Sequence, residues 1–166
     1  SDVCSSDLNN LFDEITFCVA TGFYSGLSPK APGTAGSAAC AAMLLLFNAV
    51  LDLQSILIVL SILLIAIGTY AAHYTMQRGL YKAKSDPQQI VIDEFAGLMV
   101  ALIGLPLNFT TILFGFFAFR LFDILKPPPA SHAERLPGAY GVMADDIVAG
   151  IMANVLLRLL TFVGIL

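Results

Sequence analysis

The chain has 166 residues, of which 58% are hydrophobic and 12% are charged, and its formal net charge is -4. Its mean hydropathy is +0.85. Soluble domains contain about 25% charged residues, so the composition argues against a disordered chain, a nucleic-acid binder with a basic face and most small soluble enzymes. It favours one domain that lies in a bilayer.

The N-terminal part of the chain predicts a short amphipathic helix. Apolar residues recur there at helical spacing, with Asp13 and Glu14 on the other side: Leu8, Leu11, Phe12, Ile15 and Val19. We expect this helix to lie at an interface or to pack on the rest of the protein. Residues 1–10 are expected to be a disordered or non-native segment, and 11–166 a single domain.

A Gly- and Pro-rich loop over 21–37 leads into five apolar runs, at roughly 35–51, 53–74, 90–105, 109–125 and 141–166. Polar stretches separate several of them, including 77–89, with its breaker Asp86-Pro87, and 130–140. All five runs are long enough to be helices, and the alternation typical of a spanning barrel is absent. The prediction is an all-α, compact membrane helical bundle of about five apolar helices. Since several runs have only about 17 residues, against the usual 20 or so for a membrane span, a soluble helical bundle is the structural alternative.

Basic residues occur in alternate connections. They are Lys30 before the first run, Arg78, Lys82 and Lys84 between the second and third, and Lys126 and Arg135 between the fourth and fifth. Five crossings with the N-terminal side in the cytoplasm would give this pattern. Arg158, in the last run, is the exception.

The carboxylates at the ends of the apolar runs fall on the same predicted side as the basic loops. They are Asp93, Glu94, Asp123, Asp145 and Asp146. Crowded carboxylates near a low-dielectric boundary repel one another unless a cation neutralises them. Oxygen ligands without Cys or paired His favour Mg²⁺. We therefore expect the five to be metal-binding or catalytic residues.

Phosphate contacts are predicted beside these carboxylates. Arg120 and Asp123 are three residues apart on one helix face, and Lys126 follows. Arg is suited to bidentate phosphate contact, and Lys adds a point charge. The Gly-rich loop can offer backbone N–H groups and hydroxyls to an anion. Together these parts indicate metal-assisted phosphoryl chemistry at a membrane surface.

Each part also has a purely structural interpretation. Asp145 and Asp146, or Asp93 and Glu94, could complement a helix dipole. Arg120 and Asp123 could be a structural ion pair, and the loop could be a simple connector. A small transporter or ion-coupled membrane subunit is the alternative function, because such proteins also use membrane carboxylates.

Four segments resemble the phosphatidylglycerophosphatase A family. They are ATGFYSGLSPKAPGTAGS at 20–37, IDEFAG at 92–97, FRLFDILKPP at 119–128 and GVMADDIVAGI at 141–151. The resemblance implies a Mg²⁺-dependent lipid phosphatase of the bacterial inner membrane, with its active site on the cytoplasmic side. Its substrate would be the phospholipid phosphatidylglycerophosphate, hydrolysed to phosphatidylglycerol and phosphate, and no nucleic-acid partner is expected.

The resemblance also implies roles for particular residues. Asp93, Glu94, Asp123, Asp145 and Asp146 would be metal or catalytic carboxylates. Arg120 and Lys126 would contact phosphate, with Thr34, Gly36 and Ser37 as the contribution of the loop. Hydrolysis by an activated water is the expected route, and an aspartyl-phosphate intermediate on Asp93 or Asp145 is its alternative.

Overall fold

The computed structural model describes the backbone of residues 2–79 and 89–166, and the side chains from residue 10 onward within those ranges. Every regular element in these ranges is helical, which confirms the all-α prediction. The helices are α1 (Asp2–Ala20), α2 (Pro32–Asn48), α3 (Leu53–Arg78), α4 (Ile92–Leu102), α5 (Phe109–Leu125), α6 (Ala130–Ala133) and α7 (Ala139–Phe162). Lys82, Lys84 and the 86–87 breaker lie outside the described residues.

The five predicted runs correspond to α2, α3, α4, α5 and α7. Helix α5 has the predicted bounds, because the Asn108 side chain accepts a hydrogen bond from the Thr111 N–H at 2.8 Å and caps its first turn. Helix α3 ends at Arg78, and Gly79 follows it as a C-cap with a left-handed φ of 61°. The connector at 130–140 contains the four-residue α6, which the sequence did not predict.

Helix α1 packs against α3. The hydroxyl of Tyr74 donates a hydrogen bond to Asp13 at 2.7 Å, and Arg78 lies 3.6 Å from the same carboxylate. These contacts place the predicted amphipathic helix on the bundle. The helical backbone of α1 begins at Asp2.

Helix α4 is the centre of the bundle. Helices α2, α5, α7 and α3 each contact it and also contact one another in that order, so they form a closed ring around it. Of its 11 residues, only Glu94 is not fully buried. An apolar helix without a polar face is stable in this position because every side of it is covered.

Two glycines allow α4 and α7 to cross closely. A Cβ atom on Gly150 would lie 2.3 Å from the carbonyl oxygen of Gly97, and a Cβ on Gly97 would lie 2.8 Å from the carbonyl oxygen of Asp146. Asp93 and Asp146 each stand four residues before one of these glycines, which is about one helical turn. The close crossing therefore holds the two aspartates side by side.

The C-terminal end of α4 is capped by side chains of α7. Asn154 donates hydrogen bonds to the carbonyl oxygens of Ala101 and Ile103, both at 2.9 Å, and Arg158 donates to Ile103 at 3.0 Å. These are carbonyl groups that a helix end leaves without partners. Arg158 thus departs from the pattern of basic loops because it has a capping contact within the bundle.

The described residues contain one helix long and apolar enough to cross a membrane, α3, which has 26 residues, a mean hydropathy of 2.4 and 28% of its most apolar window buried. Helices α2 and α5 have 17 residues each and α4 has 11. The predicted bundle of five membrane crossings is therefore not confirmed. Large apolar side chains are nevertheless exposed along the outer faces of α3, α5 and α7, such as Ile62, Phe117 and Leu159.

We predict that Gly150→Ala destabilises the protein by about 1–3 kcal/mol, because the added methyl group overpacks the contact with Gly97. Thermal unfolding in detergent measures the change. Ile151→Ala is the matched control, since Ile151 is 51% exposed on the same helix and should shift stability by less than about 0.5 kcal/mol. Equal unfolding temperatures for Gly150→Ala and the unmodified protein would contradict the prediction.

Candidate active site

A cavity of about 720 Å³ opens at one end of the bundle. Helices α2, α4 and α7 begin at this end, and α3 and α5 finish there. Its lining includes Asp93 and Glu94 of α4, Asp145 and Asp146 of α7, and Arg120 and Asp123 of α5, followed by Lys126. The structure thus brings together all five predicted carboxylates and both basic residues that were predicted to contact phosphate.

Asp93, Glu94 and Asp146 form a compact acidic cluster, with one oxygen from each lying within 4.8 Å of the others. Asp93 is 6% exposed and Asp146 is 3% exposed. Three oxygens of this cluster are buried and have no hydrogen-bond partner among the described residues: Asp93 Oδ1, Glu94 Oε2 and Asp146 Oδ2. Buried charged oxygens without partners are costly, so the cluster is suited to binding a cation.

Burial and mutual repulsion raise the pKa values of this cluster. Burial is the larger cause for Asp93, followed by the charges of Glu94 and Asp146, and together they raise its pKa well above the ordinary range. Burial raises the pKa of Glu94 to about 7, although Asp93 and Arg120 oppose the shift. Without a cation, the cluster therefore favours its protonated form.

The other two predicted carboxylates, Asp123 and Asp145, are paired with basic side chains. Arg120 Nη1 lies 2.5 Å from Asp123 Oδ2 and 3.8 Å from Glu94 Oε1. Arg120 Nη2 lies 3.5 Å from the hydroxyl of Thr34, and within the part of the chain that the structure describes the buried Nε has no hydrogen-bond partner. The guanidinium is therefore held in place from two sides while one donor is still available.

Lys126 bridges two carboxylates at the rim of the cavity. Its Nζ donates to Asp145 Oδ2 and Glu134 Oε1, each at 2.7 Å. Burial opposes the charged form, but the hydrogen bonds to Asp145 and Glu134 outweigh it and raise the pKa of Lys126. The ammonium group is therefore charged at neutral pH.

The structure corrects part of the predicted loop contribution. Gly36 and Ser37 do not line the cavity: a Cβ on Gly36 would lie 2.7 Å from Val91, and the buried Ser37 hydroxyl donates to the carbonyl of Gly33 at 2.9 Å. Both residues are buried and have packing roles in the first turns of α2. Thr34 reaches Arg120, as described above.

Two residues at the cavity were not predicted. A Cβ on Gly33 would lie 2.2 Å from Glu94 Oε1 and 3.2 Å from Arg120 Nη1, so only glycine leaves room for both groups. Its position in the Gly-rich loop was the available signal. Glu134 contacts Lys126 across eight residues of an irregular connector, and no sequence periodicity indicates such a contact.

Comparisons with known proteins show the family of this chain. The family model for phosphatidylglycerophosphatase A matches residues 18–161. Phosphatidylglycerophosphatase A of Escherichia coli (strain K12) is 38% identical over 88% of this chain and 81% of its own, and that of Haemophilus influenzae is 37% identical over 81% and 82%. A Bacteroides thetaiotaomicron protein with the provisional name phosphatidylinositol-3-phosphatase is 33% identical over 87% and 92%. No solved structure matches significantly.

These matches identify the chain as a phosphoric monoester hydrolase. It belongs to the phosphatidylglycerophosphatase A family. Neither the family match nor the relatives support the alternative of a small transporter or ion-coupled subunit.

We predict that, in EDTA, the free energy of unfolding falls as pH rises from about 5 to about 8. Glu94 has a folded pKa of about 7 against an ordinary 4.5, so its protonated form stabilises the fold at low pH and this contribution is lost as pH rises through 7. Asp93 shifts in the same direction. Mg²⁺ should restore stability at the higher pH because it replaces the proton as the neutralising charge.

Thermal unfolding in detergent at both pH values, with EDTA or Mg²⁺, measures this effect. Asp146→Asn is the informative variant, because removing one charge should weaken both the pH dependence and the response to Mg²⁺. An unfolding temperature that changes with neither pH nor Mg²⁺ would argue against a cation site in the cluster.

Proposed function

We propose that this protein removes the terminal phosphate of phosphatidylglycerophosphate, giving phosphatidylglycerol and inorganic phosphate. One observation carries the proposal: an acidic cluster suited to a cation lies beside Arg120 and Lys126 in a single cavity. A phosphomonoester needs both features, a cation against its oxygens and fixed positive side chains around its charge.

Asp93, Glu94 and Asp146 are the proposed Mg²⁺ ligands, since oxygen donors without Cys or His suit this ion. When bound, Mg²⁺ would neutralise phosphate charge and make the phosphorus easier to attack. Each carboxylate needs to offer only one oxygen, so the second oxygen of Glu94 can accept a proton from the attacking water.

Arg120 and Lys126 are the proposed phosphate contacts, and Asp123 and Asp145 hold them. Asp123 orients the guanidinium at 2.5 Å, so the free Arg120 Nε can point at a phosphate oxygen. Asp145 and Glu134 fix the Lys126 ammonium. Asp145 already accepts from Lys126, which weakens it as a nucleophile, so an aspartyl-phosphate route would use Asp93.

The proposed location is the bacterial inner membrane, with the cavity on the cytoplasmic side. Met76, near the C-terminal end of α3, lines the cavity, and Arg78 ends the same helix. Lys82 and Lys84 follow in the sequence. Positive residues favour the cytoplasmic side of a spanning helix, so α3 orients the cavity toward the cytoplasm.

The assay compares phosphate release from phosphatidylglycerophosphate and from phosphatidylinositol 3-phosphate in detergent, each with Mg²⁺ or EDTA. The two lipids are chosen because the relatives carry different substrate names. We expect release from phosphatidylglycerophosphate with Mg²⁺ and loss of that release in EDTA. Preference for the inositol lipid would overturn the proposed substrate, and full activity in EDTA would overturn the proposed cofactor.

Asp93→Asn and Asp146→Asn should each lower kcat/KM by more than about a hundredfold, since even residues behind metal ligands cost about 10–100-fold. Both should still fold, because Asn keeps the shape and removes a repulsive charge. Glu14→Gln, on the exposed face of α1, is the matched control and should retain full activity. Wild-type rates in both aspartate variants would contradict the proposed site.

A further inference from the structure

An apolar groove of about 620 Å³, called the α3–α7 groove below, runs along the outer face of α3 and meets the start of α7 at Tyr140. It is lined by Ile62, Ile65, Ala66, Thr69, Tyr70, His73 and Tyr140. The lining contains no Asp, Glu, Lys or Arg. The Thr69 hydroxyl donates to the carbonyl of Ile65 at 2.6 Å, so its polar group is satisfied within the helix.

Neighbouring residues of the same two helices line the groove and the candidate active site. On α3, residues 62, 65, 66, 69 and 73 share one helical face, and Met76 continues that face into the cavity. On α7, Tyr140 lines the groove, while Val142 and the adjoining Gly138 line the cavity. The two spaces are therefore neighbours on the same pair of helices.

The side chains along the groove change from amphipathic rings near the cavity to aliphatic groups further away. A phospholipid changes in the same order, from its polar headgroup to its acyl chains. Tyr70, His73 and Tyr140 lie at the end near the cavity, where amphipathic rings suit the headgroup level of a membrane. Ile62 and Ala66 lie further away. From His73 to Ile62 the helix rises by about 16 Å, close to the roughly 15 Å of hydrocarbon in one leaflet.

We propose that this groove binds one acyl chain of the lipid whose phosphate occupies the cavity. The inference rests on the proposed lipid phosphatase activity and adds a binding site for the apolar part of the substrate. His73 and Tyr140, with ring centroids 6.2 Å apart, stand on either side of the path from the cavity. The acyl chain then follows α3 away from the acidic cluster, and burial of its methylene groups contributes to binding.

A second apolar groove, between α2 and α5, serves as the comparison. It has about 270 Å³ and is lined by alanines of α2, including Ala42, and by apolar residues of α5. Its volume is less than half that of the α3–α7 groove. Ala42 and Ala66 are both exposed, so the same substitution can be made in each groove without disturbing the core.

The experiment compares Ala66→Trp with Ala42→Trp in the full-length protein in mixed micelles. The substrates are dioleoyl and dihexanoyl phosphatidylglycerophosphate, and the readout is the ratio of their kcat/KM values. Ala66 lies about 10 Å along the helix from His73, so a hexanoyl chain ends before it and an oleoyl chain passes it. Ala66→Trp should lower the dioleoyl to dihexanoyl ratio by about tenfold or more, the loss expected when about two methylene groups leave the groove.

Ala42→Trp should keep the wild-type ratio. An unchanged ratio in Ala66→Trp, or an equal fall in Ala42→Trp, would overturn the groove assignment. If Ala66→Trp fails to fold, Thr69→Phe is measured in its place and the same ratio decides. Absence of phosphate release from both substrates by the wild-type protein would instead overturn the proposed function, so the two failures are distinct.

Discussion

The close crossing of α4 and α7 is the constraint on which the candidate site depends. Gly97 and Gly150 let the two backbones approach until a single added carbon would collide with a carbonyl oxygen. One turn earlier on each helix, the same geometry places Asp93 beside Asp146. Small residues permit such approaches because packing then involves backbone rather than side chains. The capping of α4 by Asn154 and Arg158 holds the other end of this pair.

That crossing forces carboxylates together in a buried place, and the rest of the cavity compensates only some of their charge. Arg120 pairs with Asp123, and Lys126 pairs with Asp145. Among the described residues, Asp93, Glu94 and Asp146 have buried oxygens without a hydrogen-bond partner, and so does Asp145 at its second oxygen. Asp93, Glu94 and Asp146 also lie close enough together to hold one metal ion. Two kinds of carboxylate are thus present. One kind holds a basic side chain in position, and the other needs a metal ion to neutralise its charge. This division underlies the assignment of the first group to phosphate binding and of the second to the metal.

The apolar exterior complements this charged end. A ring of four helices around α4 keeps the polar groups of the site inside, while α3, α5 and α7 expose large apolar side chains outward. Exposed apolar surface of this extent is typical of contact with lipid or another apolar partner. The five crossings expected from the sequence are not confirmed, because α4 has 11 residues, too few to span the roughly 30 Å of a bilayer core. A central helix can be this short because its neighbours, not lipid, cover it.

By itself, the sequence determined the helical class, the bounds of α5 and the end of the bundle at which the charged residues gather. Apolar periodicity and short polar connections are local properties, and chain direction reverses predictably between successive helices. Only the tertiary structure decided which carboxylates are paired, that Gly33 rather than Gly36 borders the site, and that Ser37 is used in packing. The contact of Glu134 with Lys126 likewise could not be predicted from the sequence. Such outcomes depend on distances of a few ångströms between separate helices, and residue spacing along one chain does not specify them.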